Sequence, residues 1–186
     1  MLLPLLIGSA SAETFTGRVI GVTDGDTLTV LRAGRREVIR LNGIDAPEKG
    51  QAYGDRAKQF TAGLAFGQVV QVVVRDHDRY GRTVADVVLA DGRSLSHEVV
   101  RAGYAWWFRR YSSDPRLAAL EAEAQAARAG LWADRLPVPP WEWRRTMKAR
   151  RVALERRRDT RSERRLSSTG RRGTSRRLLA GLPSPP

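Results

Sequence analysis

Four acids and one arginine fall between Asp24 and Glu48, each close to a point where a short β-rich run gives way to a turn. Asp24 and Asp26 flank the first turn, Asp45 and Glu48 the second, and Arg40 lies on the run between them. Carboxylates are hard oxygen donors suited to a divalent cation such as Ca²⁺, and a guanidinium beside them can hold an anion in its fork of N–H donors. Metal, anion and base in one pocket are the parts needed to cut a phosphodiester. Taken singly, each acid is an ordinary turn residue, because Asp side chains cap local N–H groups. Their convergence carries the meaning, since clustered like charges repel unless a cation joins them.

A second arginine, Arg82, follows the turn Asp78-Arg79-Tyr80-Gly81. If that turn overhangs the same pocket, Arg40 and Arg82 can grip a phosphate from two sides and take up the charge of a pentacovalent transition state. Tyr80 and Tyr111, each beside an arginine, are candidate base-stacking residues, whereas Trp106 and Trp107 are expected in the core. His97 has no second histidine near it in sequence and is read as structural.

The elements that position these residues follow from periodicity. Thr14 to Val22, Thr27 to Leu31, Val38 to Asn42, Val69 to Arg75 and Thr83 to Leu89 read as strands. Ala33-Gly34 is a hairpin turn, and alternation puts Ile39 and Leu41 on one face with Arg40 on the other. Helices are expected over Asp55 to Phe66 (stripe Ala57, Phe60, Leu64), over Leu95 to Ala102, and from an Asp114 cap with Pro115 through Leu117, Leu120, Ala124, Ala127 and Leu131. Five short strands with helices between and after them fit a small closed barrel of the oligonucleotide-binding kind.

The 186 residues allow one domain of ordinary size plus extras. Of the formal charge of +13, residues 144–186 carry +12, so residues 1–143 balance at +1. Four parts are expected: a signal peptide over 1–12, a barrel domain over 13–136, a Pro/Trp linker over 137–143 with Trp141 and Trp143 tacking it back, and a disordered basic tail over 144–186. The tail suits nucleic acid or another anionic surface. The run Leu2 to Ile7 followed by Ala10-Ser11-Ala12 predicts export, to the medium or the periplasm, and is too short to span a membrane. The absence of cysteine excludes disulfides and thiolate chemistry.

Asp24-Gly25-Asp26-Thr27, Arg40 to Glu48, Tyr53-Gly54, Asp78 to Arg82 and Gly130-Leu131-Trp132, in that order, resemble the staphylococcal nuclease (thermonuclease) family from about Phe15 to Trp132. The resemblance implies a five-stranded oligonucleotide-binding barrel with three α-helices and, as activity, Ca²⁺-dependent endonucleolytic hydrolysis of DNA and RNA with low sequence specificity; a monomer is expected. It implies Asp26, Asp45 and the Ala46 carbonyl as Ca²⁺ ligands, with Asp24 in the outer shell. Arg40 and Arg82 are then the phosphate-binding residues and Glu48 the activator of water. Two departures stand out: Ala46 replaces a threonine of the family's prototype, and the loop from Glu48 to Tyr53 is shorter. The competing reading is a non-catalytic nucleic-acid-binding barrel, which the intact set Asp26, Arg40, Asp45, Glu48 and Arg82 argues against.

Overall fold

The computed structural model describes residues 12–170, with side chains described to residue 158. Most of the expected leader and the last sixteen residues of the tail lie outside the described residues.

The order is β1 (Thr14–Asp24), β2 (Thr27–Arg32), β3 (Arg35–Leu41), β4 (Ile44–Asp45), α1 (Gly54–Ala65), β5 (Val69–His77), β6 (Thr83–Val88), α2 (Leu95–Arg101), β7 (Trp106–Trp107), α3 (Pro115–Ala126), a 3-10 turn (Gly130–Ala133) and α4 (Pro140–Gly170). The five longer strands close a barrel in the order β1-β2-β3-β6-β5. All its pairings are antiparallel except β3 with β6. Closure removes the unpaired edges that an open sheet of this size would expose.

β-branched and leucine residues alternate inward to fill the barrel. Val19, Leu28, Val30, Ile39, Leu41, Val70, Val72 and Val87 are all fully buried. The Ala33-Gly34 link has positive φ at both residues, 45° and 80°, which matches the twist of the β2–β3 hairpin and fixes its register with Arg32 opposite Arg35. That register decides which side chains face the site.

Helices α2 and α3 cover one end of the core through Leu95, Val99, Val100, Leu117 and Leu120. Ser94 and Asp114 cap them, each accepting a backbone N–H of the first turn. His97 is structural, as expected: its Nε2 meets Asp114 Oδ2 at 2.8 Å and ties the two helices together.

Two expectations need correction. Leu131 does not continue α3, because the chain turns at Arg128 (φ 52°) and Gly130 (φ 54°) and places Leu131, buried, in the 3-10 turn. This turn crosses the end of α2 backbone to backbone, with Leu131 N–H donating to the Gly103 carbonyl at 2.8 Å. A Cβ on Gly103 would stand 2.2 Å from the Ala129 oxygen, so only glycine permits the approach. Within residues 137–143, Trp141 tacks the chain back as expected. Trp141 stacks on Phe108 at 5.5 Å and sets its edge against Trp106, and Gln51 Nε2 donates to the Val138 carbonyl at 2.6 Å.

Second, a fourth helix stands where disorder was expected between Arg144 and Gly170. Its arginine, alanine, leucine and glutamate residues are strong helix formers, and no proline interrupts them. The chain divides into two compact units at Trp143/Arg144, so most of α4 belongs to the second. Among the described residues no helix is long and apolar enough to cross a membrane.

Candidate active site

The turn from β1 to β2 closes with Asp24 opposite Thr27. It is fastened from behind by Thr61 of α1, whose buried hydroxyl donates to the Gly25 carbonyl at 2.7 Å. Asp24 Oδ1 accepts the Asp26 N–H at 3.2 Å, which shapes the turn and directs the Asp26 carboxylate inward, where it is 1% exposed. There Asp26 Oδ2 accepts the Ala46 N–H at 2.6 Å, and Oδ1 accepts the Thr27 hydroxyl at 3.1 Å.

Arg40 is the register partner of Thr27, one strand over. Its guanidinium donates through one nitrogen to Asp26 Oδ1 and through the other to Asp45 Oδ1, the latter at 2.7 Å. Asp45, at the end of β4, is fully buried. Asp26, Arg40 and Asp45 therefore form one hydrogen-bonded cluster, as the sequence predicts, with Asp24 adjoining it through the turn.

Its electrostatics are unbalanced. Burial pushes the Asp26 carboxyl up to about 8; Arg40 opposes this, while Asp24 and Asp45 add to it. Burial also disfavours the Arg40 cation, but Asp26 and Asp45 outweigh it and hold the guanidinium above the usual arginine range. Three acids share one cation. Such a set attracts further positive charge.

Among the described residues no three His, Asp or Glu side chains are arranged to hold a metal ion. The donor type nevertheless fits a hard divalent cation: two buried carboxyls against one guanidinium, Asp24 beside them, and backbone and water oxygens to complete the shell. Of Ala46, the N–H is engaged with Asp26, which places its backbone at the cluster.

Glu48 is half-buried three residues beyond Asp45. Its loop is held by Gln51, which the sequence reading passed over. Gln51 Oε1 accepts the Glu48 N–H at 3.1 Å, and Gln51 N–H donates to the Glu48 carbonyl at 2.9 Å. The same carbonyl would lie 2.2 Å from a Cβ on Gly54, so the first residue of α1 must be glycine for the loop to pass this close. A cavity of about 360 Å³, lined by Gln51, Tyr53, Asp55 and Arg56, opens along this loop rather than over Arg40 and Asp26.

Arg82 immediately precedes β6, the strand that pairs with the strand of Arg40. Arg40 pairs with Val84 in the parallel ladder, two residues after Arg82. The side chain is fixed by Asp78: Arg82 Nε donates to Oδ2 at 2.7 Å, and its backbone N–H to Oδ1 at 3.0 Å. Slight burial works against the Asp78 carboxylate, but the N–H groups of Arg82 and Tyr80 and the guanidinium hold its pKa below the ordinary range. Asp78 is a second residue missed from sequence, although its four-residue spacing from Arg82 was visible.

Tyr80 is 69% exposed, with the Arg79 and Arg82 guanidinium groups 4.9 and 5.6 Å from its ring. Tyr111, also exposed, leans edge-on against Phe108, whose N–H donates to the Gly43 carbonyl just before β4. Trp106 is buried and Trp107 half-buried, and they pair with Asp45 and Ile44. Buried Glu121 supports this strand, accepting the Trp107 N–H at 3.0 Å and Arg109 at 2.6 Å.

The family model described as staphylococcal nuclease homologue matches residues 38–134, a span that holds Arg40, Asp45, Glu48 and Arg82. The chain belongs to the staphylococcal nuclease family. Among its relatives, an uncharacterized endonuclease of Escherichia coli is 44% identical over 128 residues, covering 69% of this chain and 84% of that protein. A protein named micrococcal nuclease from Shigella flexneri is 39% identical over 154 residues, 77% of this chain and 88% of that protein. An uncharacterized endonuclease of Haemophilus influenzae is 40% identical over 149 residues, 80% and 83% of the two. The aligned lengths reach well beyond the family match of residues 38–134.

Proposed function

We propose that this nuclease-family hydrolase is a Ca²⁺-dependent endonuclease that cuts phosphodiester bonds of both DNA and RNA with little sequence preference. The observation that carries the reading is the buried cluster Asp26–Arg40–Asp45, in which two carboxyls meet one guanidinium and burial pushes Asp26 up to about 8, so that ionising both acids calls for a further cation. A module that only bound a polyanion would gain nothing from burying acids at its centre. Desolvated, incompletely neutralised carboxylates are costly to keep and point to an ion and a reaction.

Asp26, Asp45 and the Ala46 carbonyl would hold the ion, with Asp24 behind them. When bound, the ion supplies charge neutralisation at the phosphate and lowers the pKa of a nearby water. The protein does the rest. Three of the five N–H groups of Arg40 meet Asp26, Asp45 and the Ile44 carbonyl, which leaves two donors for a phosphoryl oxygen. Arg82, steadied by Asp78, is the second anion grip. Glu48 receives the proton of the attacking water on its carboxylate, and Gln51 keeps its loop in place. Tyr80 and Tyr111 offer exposed rings to bases on either side.

The test is cleavage of plasmid DNA and of an unstructured RNA by the whole chain, with Ca²⁺, with chelator, and with Glu48→Gln. Cleavage of both substrates is expected with Ca²⁺, none in chelator, and a fall of about 10²- to 10⁴-fold in Glu48→Gln. Undiminished cutting in chelator sinks the metal mechanism, and binding without cutting under every condition supports a pure binding module. The Ala10-Ser11-Ala12 site further supports export, checked by the mass of the chain recovered outside the cell.

A further inference from the structure

Residues 1–143, which carry the acid cluster, are almost neutral; the net positive charge of the chain lies elsewhere. Between Arg144 and Arg158, α4 carries Arg144, Arg145, Lys148, Arg150, Arg151, Arg156, Arg157 and Arg158 against one acid, Glu155. All eight cationic residues are exposed. At 1.5 Å per residue this is a charged rod about 22 Å long.

The distribution of those charges identifies the partner. A helix that lies on a lipid surface needs an apolar stripe opposite its basic face. Here the larger apolar residues, Met147 and Leu154, are flanked at three- and four-residue spacing by Arg150, Arg151, Arg157 and Arg158, and Val152 lies on another side. No face is free of cations. The same pattern excludes a coiled-coil seam, which needs apolar residues on one face. What remains matched is a partner that is itself a dense line of negative charge and offers no apolar surface. A nucleic-acid duplex presents one phosphate charge about every 1.7 Å of its axis.

We propose that α4 is a second, non-catalytic nucleic-acid site, a cationic helix that binds the phosphate backbone of duplex DNA and raises substrate capture without taking part in cleavage. This rests on the nuclease reading for its choice of polyanion.

The test uses the whole chain with Arg145, Lys148, Arg150, Arg151 and Arg158 replaced by glutamine, which keeps helix propensity. A second variant replaces the four arginines of that set with lysine. Affinity for a labelled duplex is measured in chelator over a range of salt, with far-UV circular dichroism as the folding control. The glutamine variant should lose about 0.9 in the slope of log affinity against log salt for each phosphate contact removed. The lysine variant should retain the slope, and single-turnover cleavage at saturating DNA should be unchanged in both. An unaltered slope in the glutamine variant overturns the proposal and leaves the nuclease reading standing. So does binding of the wild type to phosphatidylserine vesicles that is lost in the glutamine variant while duplex binding is not. A wild type that binds no duplex overturns the proposal but not the nuclease reading, which stands or falls on cleavage with Ca²⁺.

Discussion

Asp26 keeps its proton in the folded, metal-free chain to about pH 8, whereas an unfolded chain releases it near 3.8. Between those values the folded state binds one more proton than the unfolded state, so stability in chelator falls as pH rises through that window. Asp26→Asn removes the titration. Its stability relative to wild type is expected to improve steadily from pH 5 to pH 8, read from urea melts in chelator, while cleavage is lost; a constant difference across the window would contradict the assignment. Arg82 offers a second test at this scale, because its direction depends on Asp78. Asp78→Asn leaves the guanidinium in place but loosens it, and kcat is expected to fall about 10- to 100-fold with a smaller change in KM. Arg82→Gln should be more severe, about 10²- to 10³-fold.

At the level of elements, the site depends on α1 holding the β1–β2 turn. Thr61→Val strands the buried Gly25 carbonyl and is expected to lower stability by about 1–3 kcal/mol, measured by denaturant unfolding, with a matching loss of cleavage as Asp26 loses its support. The α2–α3 junction gives a pH-dependent test. The hydrogen bond from His97, the largest influence, lowers the Asp114 pKa, so the pair contributes stability above the ordinary carboxylate range and loses it as pH falls through the depressed value. Asp114→Asn keeps a good cap and should destabilise by less than about 1 kcal/mol at pH 7, the gap closing toward pH 3. The features legible in the sequence were local ones. The Ala33-Gly34 turn, the outward parity of Arg40 and the Asp114-Pro115 helix start each follow from a few neighbouring residues. The misses were set by distant contacts: Arg128 takes a positive φ that its residue type disfavours, and the two-residue strands β4 and β7 exist only because they find each other. The site divided along the same line, since charged ligands announce themselves whereas Thr61, Gln51 and Asp78 do their positioning through single hydrogen bonds. The fourth helix was missed by judging Arg144 onward on its poverty of apolar residues and overlooking its helix propensity.

Over the whole molecule, charge and packing are separated along the chain. Residues 1–143 hold the barrel, the acids and the aromatic stack; residues 144–186 hold nearly all the net charge. Trp141 sits at the end of the first part, and Trp141→Ala removes its contacts with Phe108 and Trp106. A loss of about 1 kcal/mol or more is expected in thermal or urea unfolding, with the metal requirement of cleavage unaltered.

The crossing of Gly103 and Gly130 adds a different constraint. The two backbones touch with no side chain between them, so no atom can be deleted there to weaken the junction. A mutational survey that proceeds by trimming side chains would pass over it as silent ground. One that adds a single methyl group at either glycine would find a position as intolerant as any in the barrel interior, and the chain's apparent map of essential residues would depend on which kind of survey drew it.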